Sequence, residues 1–206
     1  MWGMVVSTLT AAPRGRPREF DIEAALDKAA RVFSARGYHA TSITDLTRAM
    51  GVAQGSLYKA FKDKKAVFIA VFDRFKAQRR TAFEALVAEG ATGREQMRNA
   101  LLFYAESSHG FEGRQGCLII GCAVELSTSE ADVADRVRFS MANDEAFLRL
   151  LIQRGQDDGS VAPSVPVEGV ARALLCLMKG MRIVGKTGRT REEMVAAVDA
   201  ALRMLD

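Results

Sequence analysis

Three sets of residues in this chain have types and spacing that could do chemistry. The run Gly180-Met181-Arg182-Ile183-Val184-Gly185-Lys186-Thr187 satisfies the pattern G-x-x-x-x-G-K-T. In a nucleotide hydrolase that pattern cradles phosphates on backbone amides, and it needs a strand before the loop and a second strand ending in Asp. Here the first glycine falls inside an apolar helical repeat, so a P-loop NTPase stands as the distant alternative. The second set is Cys117, Cys122 and Cys176, an odd number at irregular spacing that makes no disulfide framework. His39 and His109 are too few to complete a zinc site with them. Cys117 follows a glycine-rich stretch containing Arg114 and opens a helix, a setting that favours thiolate, so an oxidant or electrophile sensor using Cys117 is the nearer alternative. Cys122 and Cys176 read as small core fillers. No nucleophile elbow is present and neither histidine has a triad partner in the sequence pattern, so the chain reads as a non-enzyme with no cofactor and no metal. The third set is Gln54, Gly55, Ser56, Tyr58 and Lys59, crowded into one short segment after Gly51. Gln can read adenine bidentately, Ser, Tyr and Lys reach phosphates or base edges, and Gly55 lets the backbone come close.

The elements that must position these residues are helices. Apolar residues recur with helical period along most of the chain, and no stretch alternates long enough to argue a sheet. Asp21 caps a first helix whose inner face is Ile22, Leu26, Ala29, Ala30 and Phe33, and Gly37 ends it. Ser42 with Asp45 opens a second, which Gly51 stops. A third runs from about Ala53 to Phe61 with Leu57 and Phe61 inward. Two short helices around a glycine turn, held by apolar residues and polar outside, form a helix-turn-helix. Asp63 caps a long fourth helix to about Glu89, and Thr92 with Glu95 opens a fifth. Ser108–Gly116 reads as a loop and Cys117–Leu126 as a short apolar helix. Ser129 with Asp132 opens a long helix to about Gln153, and Gly155–Pro166 reads as a linker. In the last two helices, about Val167–Gly185 and Thr190–Leu205, one row holds Val170, Leu174, Leu177 and Met181, and the other Val195, Val198 and Leu202. A further row, Gly169, Ala173, Cys176 and Gly180, is all small and lets another helix approach closely. Faces this wide suit a four-helix dimer bundle, with the seven large residues as the interface.

Charge divides the chain as the helices do. Residues 1–80 carry 9 Arg and 6 Lys against 7 acids, a net +8, whereas the remainder is net −4. A basic head on an acidic body places the polyanion at the head. Arg14 and Arg16 in the leader, Thr41, Ser42 and Thr44 at the second helix, and Lys64 at the fourth join the third set as expected DNA contacts, since helix N-termini attract phosphate. Arg14, Arg16 and Arg18 come after the mildly apolar start, the wrong order for a secretory signal. No apolar run approaches the roughly 18 residues that cross a bilayer, so no membrane partner and a cytoplasmic location are expected.

The string Thr41–Phe68, TSITDLTRAMGVAQGSLYKAFKDKKAVF, resembles the signature of the TetR/AcrR family of helix-turn-helix transcriptional regulators. Gly51, Val52, Gly55, Leu57, Tyr58, Phe61 and Lys64 match its pattern one by one, over a resemblance covering roughly residues 18–76. Ala53 stands where the family often has a capping Ser, which loosens that helix end by roughly 1 kcal/mol. Thr47 replaces the usual Ala facing the turn. The resemblance implies an all-α fold of about nine helices. It divides into a flexible tail (1–15), a helix-turn-helix domain (16–66) and a larger helical sensing and dimerisation domain (67–206). It also implies a homodimer on a palindromic operator, released by a small, often hydrophobic inducer. Phe103, Tyr104, Phe111 and Phe147 are the candidate lining of that ligand pocket. Some regulators similar to this subgroup sense electrophiles through a thiol, which is the reading Cys117 would serve.

Overall fold

The structure, a computed structural model, describes residues 21–126 and 129–206 apart from the side chain of Cys122. The expected contacts Arg14 and Arg16, and the tail 1–15, lie outside the described residues. Ten α-helices and no strand occur among them: α1 (Ile22–Arg36), α2 (Ile43–Met50), α3 (Gln54–Ala60), α4 (Lys64–Ala88), α5 (Gly93–Glu106), α6 (Gly110–Gln115), α7 (Leu118–Glu125), α8 (Ala131–Asp157), α9 (Val167–Val184) and α10 (Arg191–Ala201).

Local chemistry sets most of the boundaries. The Asp21 carboxylate accepts from the amides of Glu23 and Ala24, and Gly37 takes the left-handed side of φ at +80° to end α1. Ser42 with Asp45, Thr92 with Glu95 and Thr190 with Glu193 form reciprocal capping boxes at α2, α5 and α10. The pair expected at α8 does not form. Glu130 holds the cap position without a side-chain bond, because Glu130 and Asp132 both turn to Lys65, at 2.8 and 3.1 Å. The Ser108–Gly116 stretch, expected as a loop, contains α6, and α8 runs on to Asp157 into the expected linker. Gly185–Thr187 is a 3₁₀ turn continuing α9. The phosphate-loop spacing therefore lies on continuous helix, which presents no anion-cradling nest.

Two cores organise the molecule. One holds Phe33, Leu46, Leu57, Val67, Phe68, Val71 and Phe72 together with Leu118, Leu126, Val133 and Val137. It binds α1–α3 to the first half of α4, to α7 and to the start of α8, so packing continues across residue 66. The other is built by α5, the later part of α8, α9 and α10, around Met97, Leu101, Leu148, Leu151, Leu174 and Val198. Fully burying each such side chain contributes about 1.5–3 kcal/mol. The helices α4, about 38 Å long at 1.5 Å per residue, and α8 reach both cores.

Candidate nucleic-acid interface and sensing cavity

The turn between α2 and α3 is made by Gly51, left-handed at φ 72° and ψ 34°, whose amide and that of Val52 both donate to the Thr47 carbonyl at 3.0 Å. This conformation suits glycine because a Cβ there would crowd the backbone. Leu46, Met50 and Leu57 are buried beneath the turn, anchoring two helices of eight and seven residues that could not persist alone. Ala53 caps α3 with no side-chain bond, as its substitution for Ser implied.

What this anchoring leaves outside is a polar face. Gln54, Gly55, Tyr58 and Lys59 of α3 are exposed, with Ser56 half-buried beside them, and Ser42 and Thr44 are exposed at the start of α2. The Ser42 hydroxyl is spent on Asp45, donating to its carboxylate at 2.6 Å. Nothing among the described residues lies within 4 Å of where a Gly55 Cβ would sit, so packing within the chain does not require glycine there.

Two expected contacts are corrected. Thr41 is 1% exposed and its hydroxyl donates to the Gly37 carbonyl at 2.6 Å, so its side chain faces the core instead of solvent. The Lys64 ammonium points inward, donating to the carbonyls of Tyr38 and Thr41 at 3.0 Å each and lying 4.2 Å from the centre of the Tyr38 ring. It clamps the loop before α2. Sequence reasoning missed the partner of that clamp, Glu125 at the end of α7, whose carboxylate accepts from the amides of Tyr38 and His39 at 2.8 and 3.2 Å. A Cβ on Gly37 would collide with that carboxylate. Local pattern carries no sign of this pairing because 87 residues separate the partners. Another tie runs between α1 and α4, where Arg74 grips Asp27 at 2.7 and 2.9 Å and Glu23 at 3.0 Å. The Arg74 hydrogen bonds hold the Asp27 carboxyl below its ordinary value, against a smaller opposing effect of burial.

One turn beyond Arg74, α4 becomes a wall of a cavity of about 380 Å³ between α4, α5 and α8. Phe103, Tyr104 and Phe147 line it and Phe83 joins them, with ring centroids 5.4 Å from both Phe103 and Phe147. Phe111 is not in this cavity: it is 74% exposed on α6, on the opposite side of α4 beside α1. Lys76, Arg79 and Arg80 supply positive charge at the rim, and the Arg79 guanidinium lies 4.7 Å from the Phe103 ring centre. Behind the aromatics, Lys179 donates to the Tyr104 hydroxyl at 2.9 Å and to Asp144 at 2.6 Å. Burial pushes the Tyr104 hydroxyl pKa up, which keeps it neutral and able to hydrogen-bond.

The expected dimer face divides in two. Leu174, Met181, Val198 and Leu202 are buried within their own chain, because α9 and α10 lay their large row on α8 and α5. Val170, Leu177 and Val195 are only half-buried. The exposed row of α9 is the small one, Gly169, Ala173 and Cys176, continued by half-buried Gly180 and by Val184. Cys176 is thus at the surface and no core filler. Cys117 is half-buried in the turn that starts α7, its carbonyl accepting from Gly121 at 2.9 Å.

Comparison with known proteins settles the class. Residues 25–71 match the family described as "Bacterial regulatory proteins, tetR family", and residues 93–201 match "Tetracyclin repressor-like, C-terminal domain". The chain belongs to the TetR family. Its members are DNA-binding transcriptional regulators, and the helix-turn-helix described above is this TetR-family protein's DNA-binding element. The chain is 31% identical to the HTH-type transcriptional repressor ComR of Escherichia coli (strain K12) over 192 residues, 93% of this chain and 91% of that one. It is 28% identical to the HTH-type transcriptional repressor DhaR of Mycobacterium sp. (strain GP1), over 81% and 83% of the two chains. A cysteine mutant of the TetR family transcriptional regulator CifR, complexed with 26 bp double-strand operator DNA, superposes with a TM-score of 0.82 at 28% identity, over 91% of this chain and 98% of that chain. No helix among the described residues is long and apolar enough to cross a membrane.

Proposed function

We propose that this TetR-family regulator is a cytoplasmic homodimeric repressor that holds a palindromic operator and releases it when a small molecule enters the cavity between α4, α5 and α8. The observation that carries the reading is the outward face of α3, where Gln54, Gly55, Tyr58 and Lys59 stand exposed over a buried Leu57. A glycine at 55 that the chain's own packing does not require is explained by an outside surface approaching the backbone, and a DNA strand is such a surface. Repression is supported by the names of relatives similar along most of their length. A dimer is supported by the exposed small row of α9, which permits two helices to approach closely and would set two recognition helices one DNA turn or a multiple apart.

Helix α4 is the transmitting element in this mechanism. Lys64 and Arg74 fasten its first part to the head, while Lys76, Arg79 and Phe83 meet the cavity within the following turns. A ligand that fits the cavity better with α4 displaced shifts the population toward an arrangement with the wrong half-site spacing. The volume and aromatic walls suit a compact, largely apolar inducer. Footprinting of the purified protein on the DNA flanking its gene tests the proposal. A single protected palindrome, bound far more tightly than scrambled DNA, is expected, whereas equal affinity for every sequence would overturn it.

A further inference from the structure

We propose a second small-molecule site, apart from the cavity above: a cleft between the head and the body that takes an organic carboxylate on Arg182. This residue is 2% exposed, yet among the described residues only its Nη2 has a hydrogen-bond partner, donating to the Gly116 carbonyl at 2.8 Å. Its Nε and Nη1 are buried with no hydrogen-bond partner among the described residues. A guanidinium keeps its charge at any physiological pH, and an uncompensated charge in the interior is costly, so this geometry calls for an anion.

Arg182 borders a cleft of about 970 Å³ whose walls come from α1, α2, α4 and α6. The acids on those walls are already committed. Asp27 is held by Arg74, Asp45 by Arg36 and Ser42, and Glu112 by Arg79. Arg31 and Arg48, also on the wall, make no ion pair among the described residues, so the cleft is short of negative charge. Ala30, Phe75 and the outstanding ring of Phe111 give it apolar surface as well. Phosphate alone would meet the charge and leave that surface wet. A carboxylate carrying an aryl or alkyl body meets both the charge and the apolar surface. The walls belong partly to α1 and α2 and the anchor to α9, so an occupant bridges the DNA-binding head and the body.

The test is calorimetric titration of the full chain, without DNA, using phenylacetate and, separately, inorganic phosphate at matched ionic strength. Because no DNA is present, its outcome is independent of the operator reading. Phenylacetate should bind once per chain and raise Tm, and Arg182→Met should weaken it at least tenfold while remaining as stable as the wild type without ligand. Phe111→Asp, on an exposed ring where folding is not at stake, should weaken it comparably. Wild-type affinity in either variant that folds, or phosphate binding as tightly as phenylacetate, overturns the proposal.

Discussion

Lys59 and Lys64 lie on neighbouring helices and differ in exposure. Lys59 is on the exposed face of α3, whereas Lys64 turns in to the carbonyls of Tyr38 and Thr41. A lysine that neutralises a phosphate releases a counterion, so Lys59→Ala should weaken DNA binding across sequences and lower the slope of log K against log salt by about 1. Lys64→Met instead removes the ammonium donor from both carbonyls, leaving Tyr38's with only the Thr41 amide at 3.2 Å. It should destabilise the fold by about 1–3 kcal/mol, read as a lower urea midpoint, while the salt slope stays that of the wild type. Binding titrations at several salt concentrations separate the two roles, and a slope reduced in the Lys64 variant would return that residue to the DNA face.

At the scale of elements, α9 presents two faces with opposite requirements. Leu174 is fully buried against the chain's own core, so Leu174→Asp strands a charge in apolar surroundings and should abolish folding, seen as loss of the cooperative thermal transition. Gly180 has open space where a Cβ would sit, so Gly180→Leu should leave the helicity of the chain near wild type. If the small row is the dimer seam, the same change should shift sedimentation from dimer to monomer, and an unchanged dimer would place the seam elsewhere. The α1–α4 tie carries a pH signature. Hydrogen bonds from Arg74 depress the folded Asp27 pKa below its ordinary 3.8, so the tie stabilises the fold above that value and the contribution is lost as pH falls below it. Asp27→Asn should therefore lose stability at neutral pH and show a shallower acid decline below about pH 4 than wild type in thermal melts.

For the whole molecule, the head is an independent unit in sequence and a dependent one in packing. Phe33, Leu46 and Leu57 share their core with Val67, Phe68, Val71 and Phe72 of α4, and with Leu118, Leu126, Val133 and Val137 further on. A peptide of residues 16–66 keeps its turn chemistry but loses the apolar surface that covers it, and a chain this short has little core to spare. Its far-ultraviolet circular dichroism should show little helix, whereas the full chain melts cooperatively. A stably helical fragment would show that the head closes its own core. The shared packing also explains how an event among α4, α5 and α8 can reach DNA: α4 and α8 belong to both cores, so neither moves in one alone.

Local bonding can be read directly from the residues. Most caps, the glycine stops and the turn at Gly51 were legible because each acts through bonds within a few residues, and so was the polar face of α3 that those elements expose. Which surface meets which is set by how the helices pack. Helical period shows that α9 has an apolar row of large residues and a row of small ones, but period carries no information about the neighbour. Packing put Leu174 and Met181 inside and left Ala173 and Cys176 outside. For the same reason Phe111 left the cavity that Phe83 entered, Lys64 turned from phosphate to the loop, and Glu125 and Arg182 acquired roles set by partners more than sixty residues away. Such pairings depend on how whole helices dock, and docking is settled by the summed burial of many side chains rather than by any local run of them.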